Sequence, residues 1–209
     1  MFLVERIFVA ASVVWAAAWL GFQLFRAWGG GRRDYSARAG SPLRGVWYNF
    51  SVAMTPAHKE AIRNYPFKFA VGLAMHVGIG VSALKILILL IKPGAGPLAP
   101  VPVGGFLALT AAAAMFLFVR RFLSPNLREM SSFDDYLAPF VTLAYLAAAS
   151  LHEFGLLGSG AFLLADAAAT FYLPIGKLRH VLFCPVSRLN LGWRLGYRGT
   201  YPAARPSGR

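Results

Sequence analysis

Charge is scarce in this chain, and acid is scarcer still. Only 14% of its 209 residues are Asp, Glu, Lys or Arg, and eight acids stand against 21 bases. With 57% hydrophobic residues and a mean hydropathy of +0.56, there is too little polar side chain to cover a water-soluble domain of this size. The net charge of +13 and the pI of about 10.6 would suit a nucleic-acid binder. Here the bases lie between long apolar runs, which excludes nucleic acid as the partner. Cysteine is almost missing: the lone Cys184 excludes an internal disulfide, a multi-cysteine zinc site and an iron–sulfur cluster held by the chain itself. Followed by Pro185, Cys184 reads as a small apolar filler. No small-residue cleavage pattern precedes the polar end of the first run, which carries Glu5 and reads as a retained span, not a signal peptide. Internal repeats are also lacking, which argues against a transporter that uses Lys85 and Asp166 as a charge relay.

What the chain has is long apolar runs. A membrane span needs roughly 20 mostly apolar residues, and five segments meet that need: 3–27, 67–91, 103–121, 136–156 and 160–182. The Pro/Gly-rich stretch "KPGAGPLAPVP" breaks the chain between the second and third. The expectation is an all-α integral membrane protein, a five-transmembrane-helix bundle forming one domain over 1–209. Bases set its orientation. Eight lie between Arg26 and Lys68, three more at Arg120, Arg121 and Arg128, and seven from Lys177 to Arg209, whereas the other side has little beyond Arg6 and Lys92. The N-terminus is then outside and the C-terminus cytoplasmic, with a basic tail over 183–209. The inner loops and tail offer a docking surface, and part of that charge suits anionic membrane lipid. Trp193, Tyr197 and Tyr201 in the tail fit either a partner protein or the lipid interface.

Three of the four histidines fall within the spans, at 76, 152 and 180. His58 reads as a solvated loop residue, and His152 ends the fourth span beside Glu153. His76 lies eight residues past Lys68, roughly 12 Å along a helix. His180 closes the fifth run near the same inner boundary. Two imidazoles at one depth on antiparallel helices are what bis-histidine ligation of a haem b requires. They are equally two separate polar groups bonding across helices. Gly72, Gly78 and Gly80 around His76 would admit a flat macrocycle or serve helix packing.

The stretch "PIGKLRHVLFCPV", with Pro174, Lys177 and His180, resembles the last span of the cytochrome b (gamma) subunit of respiratory nitrate reductases. "MHVGI" at 75–79 resembles that family's Phe-His-x-Gly-Ile. "VRRFLSPNLREMSSFDDYL" at 119–137 resembles its loop before span four. The resemblance implies one inner haem b with His76 and His180 as axial ligands to its iron. The family's outer pair would fall near Ile86 and at Phe162, and neither can ligate. The loop "SVAMTPAHKEAIRNYPFKF" is more similar to single-haem relatives that serve heterodisulfide-reductase-like iron–sulfur subunits.

Haem propionates would face the inner boundary, where Arg120, Arg121, Lys177 and Arg179 are the available cations; topology signalling is their other role. On the outer half, Lys85 and Asp166 are intramembrane charges. They read either as a self-neutralising pair or as a quinone or proton path with His152 and Glu153 at its mouth. Asp134 reads as the cap of span four, with Asp135 beside it. The expected function is a membrane cytochrome b subunit of a respiratory complex in a bacterial or archaeal cytoplasmic membrane. It would pass electrons between the quinone pool and a cytoplasmic-facing iron–sulfur subunit. The alternative is a cofactor-free membrane anchor subunit.

Overall fold

The structure is a computed structural model that describes residues 3–30, 40–55 and 63–197. His58 lies outside them, as do Lys59 and Tyr201. The described residues form an all-helical structure, without strands. In order the helices are α1 (Leu3–Gly30), α2 (Pro42–Phe50), α3 (Pro66–Ile91), α4 (Gly105–Leu123), α5 (Pro125–Glu129), α6 (Phe133–Glu153), α7 (Ser159–Tyr172) and α8 (His180–Leu195).

Three of these are long and apolar enough to cross a membrane: α1, α3, and α4 with the turn that opens it at Pro100. A fourth is reached if α7 and the segment Lys177–Leu195 count as one broken span. The helices are compatible with a multi-pass membrane protein. The run expected at 160–182 is not one continuous helix. Pro174 has no N–H to donate and its ring opposes a continuing helix, so α7 stops at Tyr172 and a 3₁₀ turn at Lys177–Arg179 precedes α8. At about 1.5 Å per residue α7 rises roughly 21 Å, short of the ~30 Å hydrocarbon core. The fourth run, expected at 136–156, begins and ends three residues earlier as α6. Its ends carry Asp134, Asp135 and Glu153.

The chain divides into two compact units. The first comprises residues 1–22 and 67–179 and has one apolar core. Val9 of α1, Ile86 and Leu89 of α3, Leu107 of α4, Tyr145 and Ala149 of α6, and Phe162 and Leu163 of α7 meet there. Around it large apolar side chains such as Ile7, Val14, Leu84 and Leu109 face outward, as lipid contact demands. Backbone carbonyls freed at helix ends receive side chains. Arg6 donates to Leu90 at 2.9 Å, the Trp15 indole to Phe171 at 3.1 Å and Ser150 to Gly104 at 3.0 Å. α3 and α4 run antiparallel: Gly78 lies against Thr110, with no room for a β-carbon, while Phe67 meets Phe116 edge-on.

The second unit comprises residues 23–66 and 180–209. Its described part is built on α2 against α8. Ser41 and Pro42 start α2, the proline filling a position whose N–H needs no partner. Gly45 and Gly192 bring the two backbones together: a β-carbon on Gly45 would strike the Gly192 and Gly196 carbonyls, and one on Gly192 would strike Val46. Arg188 donates to the Asn49 carbonyl at 2.9 Å, and Arg44 stacks over Tyr197. Gly192→Val therefore has no place for its side chain. It is expected to destabilise the α2–α8 pair by about 1–3 kcal/mol, read as faster amide exchange over 42–50, while exchange in α6 is unchanged.

Candidate functional site

Charged and titratable side chains in the first unit gather at two ends of the bundle. At one end α3, α6 and the 92–99 loop meet. Lys85 Nζ lies 3.1 Å from Glu153 Oε1, and both residues are buried, at 1% and 0% exposure. Neither charge would survive in such a place alone, and each gains a backbone partner as well. Lys85 donates to the Gly96 carbonyl at 2.5 Å, and the Leu98 N–H donates to Glu153 Oε2 at 2.7 Å. The pair thus folds the Pro/Gly-rich loop back over the end of α3. The expected Lys85–Asp166 pairing is not formed. Offsets along antiparallel helices give depth, not the direction a side chain faces, and Asp166 has the Tyr145 hydroxyl as its partner.

His152 stands beside Glu153, buried and stacked on Phe162 with ring centroids 5.1 Å apart. Its Nδ1 lies 3.0 Å from the Leu157 carbonyl. A carbonyl only accepts, so Nδ1 carries the hydrogen and Nε2 presents a lone pair. That Nε2 is buried without a hydrogen-bond partner in the protein. The turn after α6 makes this possible. Gly155 takes φ of +73°, which lets the chain reverse and returns the Leu157 carbonyl to the ring.

At the other end α6 begins against the 3₁₀ turn. Ser132, not Asp134, caps α6, and Asp135 Oδ2 accepts from the Ser132 N–H at 3.0 Å and its hydroxyl at 2.8 Å. Asp134 instead accepts from the Tyr172 hydroxyl and from the Lys177 N–H. It holds the turn that follows Pro174. Asp135 also binds Lys177 Nζ at 2.5 Å and Arg121 Nη1 at 2.8 Å. The Lys177 ammonium first, then the Ser132 donors and Arg121, hold its carboxyl well below the usual carboxylate range. Two of the four cations expected to meet haem propionates are therefore engaged by Asp135. Arg120 is half-buried at the end of α4, and Arg179 is exposed.

His76 lies on an outward-facing strip of α3 with Leu73, Val77 and Gly80. Its Nδ1 is 2.7 Å from the Gly72 carbonyl, which by the same rule places the hydrogen on Nδ1 and directs the Nε2 lone pair away from the backbone. Of the neighbouring glycines, Gly78 serves the close approach to Thr110, whereas a β-carbon on Gly72 or Gly80 would meet no described residue within 4 Å. From the Gly78–Thr110 register, the depth of His76 corresponds to Ala112 on α4. There an apolar groove of about 540 Å³ begins and runs past Met115, Phe116 and Val119 to Arg120 and Ser124. His180 is exposed and opens α8 in the second unit. Ile86 and Phe162 are core residues of one cluster. Among the described residues no three His, Cys, Asp or Glu side chains converge as a metal site; an axial pair needs only two imidazoles.

No protein-family model, curated protein or solved structure matches the chain.

Two outcomes are expected. Lys85→Met or Glu153→Gln leaves a buried charge alone and costs about 3–5 kcal/mol, whereas the double variant recovers most of that loss in thermal unfolding. Asp135 has a depressed carboxyl pKa, so its stabilising contribution is complete above the unfolded value of about 3.9 and fades as pH falls further. Acid unfolding curves of Asp135→Asn should be flatter below about pH 4, with lower stability at neutral pH.

Proposed function

We propose that the chain is a membrane cytochrome b subunit. It exchanges electrons between the quinone pool and a cytoplasmic-facing iron–sulfur subunit of a respiratory complex in a bacterial or archaeal cytoplasmic membrane. Five crossings complete this topology, with the N-terminus outside, the C-terminus cytoplasmic, and α6 and the broken run 160–182 as the last two. His76 and His180 are the residues that would hold one haem b through its iron. When bound, it supplies one-electron carriage with little change in geometry.

The observation that carries the reading is the Nδ1 contact of His76 with the Gly72 carbonyl. A ligating imidazole is normally fixed through its other nitrogen in this way, and the strip around His76 is open and apolar, with small residues on either side. The groove along α4 supports the same reading, because it is apolar along its length and ends at Arg120, a cation suited to a carboxylate. Lys177 and Arg121 already serve Asp135, which leaves Arg120 and Arg179 as the stronger propionate partners. Ile86 and Phe162 act as packing residues, in keeping with a single haem.

Quinone chemistry is assigned to the end of the bundle where Lys85, His152 and Glu153 meet. A quinol hydroxyl must lose its proton as its electrons leave. The His152 Nε2 lone pair is an acceptor of the right kind, held in one tautomer by Leu157. Glu153 and Lys85 fix the neighbouring backbone, and Asp166 with Tyr145 extends the polar path along α6 and α7.

The purified chain is expected to give a b-type α band in its reduced-minus-oxidised spectrum, lost in His76→Ala and in His180→Ala and kept in His58→Ala. A folded protein with no such band would be the cofactor-free anchor instead. Asp166→Asn is expected to slow quinone turnover with the band retained; unchanged turnover would make that residue structural.

A further inference from the structure

The α2–α8 pair has two apolar faces that its own packing leaves uncovered. On α2 the Gly45 side faces α8. Leu43, Trp47 and Phe50 recur at helical spacing on the opposite side and are exposed, Leu43 at 70% and Trp47 at 72%. On α8, Leu182, Val186, Leu189 and Trp193 form one stripe by the same spacing, with Leu189 and Trp193 more than half exposed. Arg188 and Arg194 fall off that stripe. The unit carrying these helices has twelve Lys and Arg against two Asp and Glu. Most of the net charge of the chain therefore resides in it.

We infer that α2 and α8 form an interfacial element whose two apolar stripes insert into the headgroup region of the cytoplasmic leaflet, and that the surplus bases of the unit carrying them bind anionic lipid phosphates. Three observations select lipid as the occupant. The first is composition: tryptophan with leucine and phenylalanine on one face and arginine beside it is what suits a helix lying at a membrane surface. The second is charge, since a basic unit is drawn to an anionic leaflet by about 1 kcal/mol per base near the surface. The third is connectivity. α2 follows α1, itself long and apolar enough to span, after residues 31–41, and α8 follows α7 after residues 173–179. Both helices are therefore tethered close to the ends of apolar segments. A water-facing position would leave the stripes wet, whereas an anionic leaflet supplies both an apolar layer for the stripes and phosphates for the bases.

The test uses the full chain in nanodiscs, with Cys184→Ser removing the native thiol. Nitroxides are placed singly by Leu43→Cys, Trp47→Cys and Leu189→Cys, with Ser187→Cys as the reference off the α8 stripe. In discs of phosphatidylcholine and phosphatidylglycerol, the first three are expected to show a several-fold higher ratio of oxygen to nickel-chelate accessibility than the reference. The ratio should fall in discs of phosphatidylcholine alone. In the unsubstituted chain, amide exchange over 42–50 should be slower in the anionic discs. Ratios equal to that of Ser187→Cys overturn the inference and make a protein partner the occupant, because that partner is absent from the disc. Exchange and accessibility insensitive to phosphatidylglycerol overturn the role given to the bases. These readouts record lipid depth and not the α band, so they fail or hold independently of the cytochrome assignment.

Discussion

A lysine and a glutamate taken wholly out of solvent determine how the larger unit is built. Lys85 and Glu153 each sit where a lone charge would cost several kcal/mol, so neither can be placed without the other. Their contact joins α3 to α6. The remaining valences, Gly96 on one side and Leu98 on the other, dictate where the 92–99 loop must run. With that loop fixed, the turn at Pro100 can open α4 beside α6, and Ser150 can reach the Gly104 carbonyl. A proline- and glycine-rich segment that would otherwise be conformationally free is thus held by two carbonyl and amide contacts. His152 inherits its position from the same constraint, because it is the residue next to Glu153 on a helix whose last turn cannot move.

The opposite end applies the same rule with a different outcome. Asp135 is reached by Lys177, Arg121 and the Ser132 donors together, and Asp134 holds the turn after Pro174. Here the acids organise cations; at the Lys85 end the cation and acid are matched one to one. The difference follows from depth. Groups near a helix start can share solvent and several long side chains, whereas a fully buried acid needs one partner with its geometry fixed. In the cytochrome reading this matters for anion binding. Cations already committed to Asp135 contribute field to a bound carboxylate, but a direct contact falls more naturally to Arg120 or Arg179.

The helices were legible in the sequence wherever an apolar run was long and free of proline. α1 and α3 lie within three residues of their expected ends. The differences arise where hydropathy carries no information, on the angle at which a side chain leaves its helix and on the local signals that start and stop helices. Hydropathy joined α7 to the segment beyond Pro174, although the proline itself was the visible sign of a break. It placed Lys85 and Asp166 at compatible depth, but depth did not reveal that Lys85 faces α6 and Asp166 faces Tyr145. α2 escapes a search for spans because nine residues between basic stretches are too few to cross; its Ser-Pro start and the Leu43, Trp47, Phe50 spacing are its signals in the sequence. The capping box at Ser132 and Asp135 is equally present in the letters "SFDD", its cap two residues before the Asp134 expected from the sequence. The His76 and His180 pairing is of another kind, since it comes from depth and resemblance and bears on chemistry, not on helix formation.

Charge is divided between the two units in a way that reflects the solvent each meets. The first unit holds nine bases and six acids, and its deeply placed acids have cationic, hydroxyl or amide partners. The second holds twelve bases and two acids. An apolar bundle tolerates charge only as neutral combinations, so surplus bases can accumulate only where water or headgroups reach them. The surplus that would orient the chain in the proposed topology is consequently concentrated in the unit that carries the glycine-packed pair of α2 and α8. There it can act on lipid or on a partner without disturbing the buried ion pair on which the bundle rests.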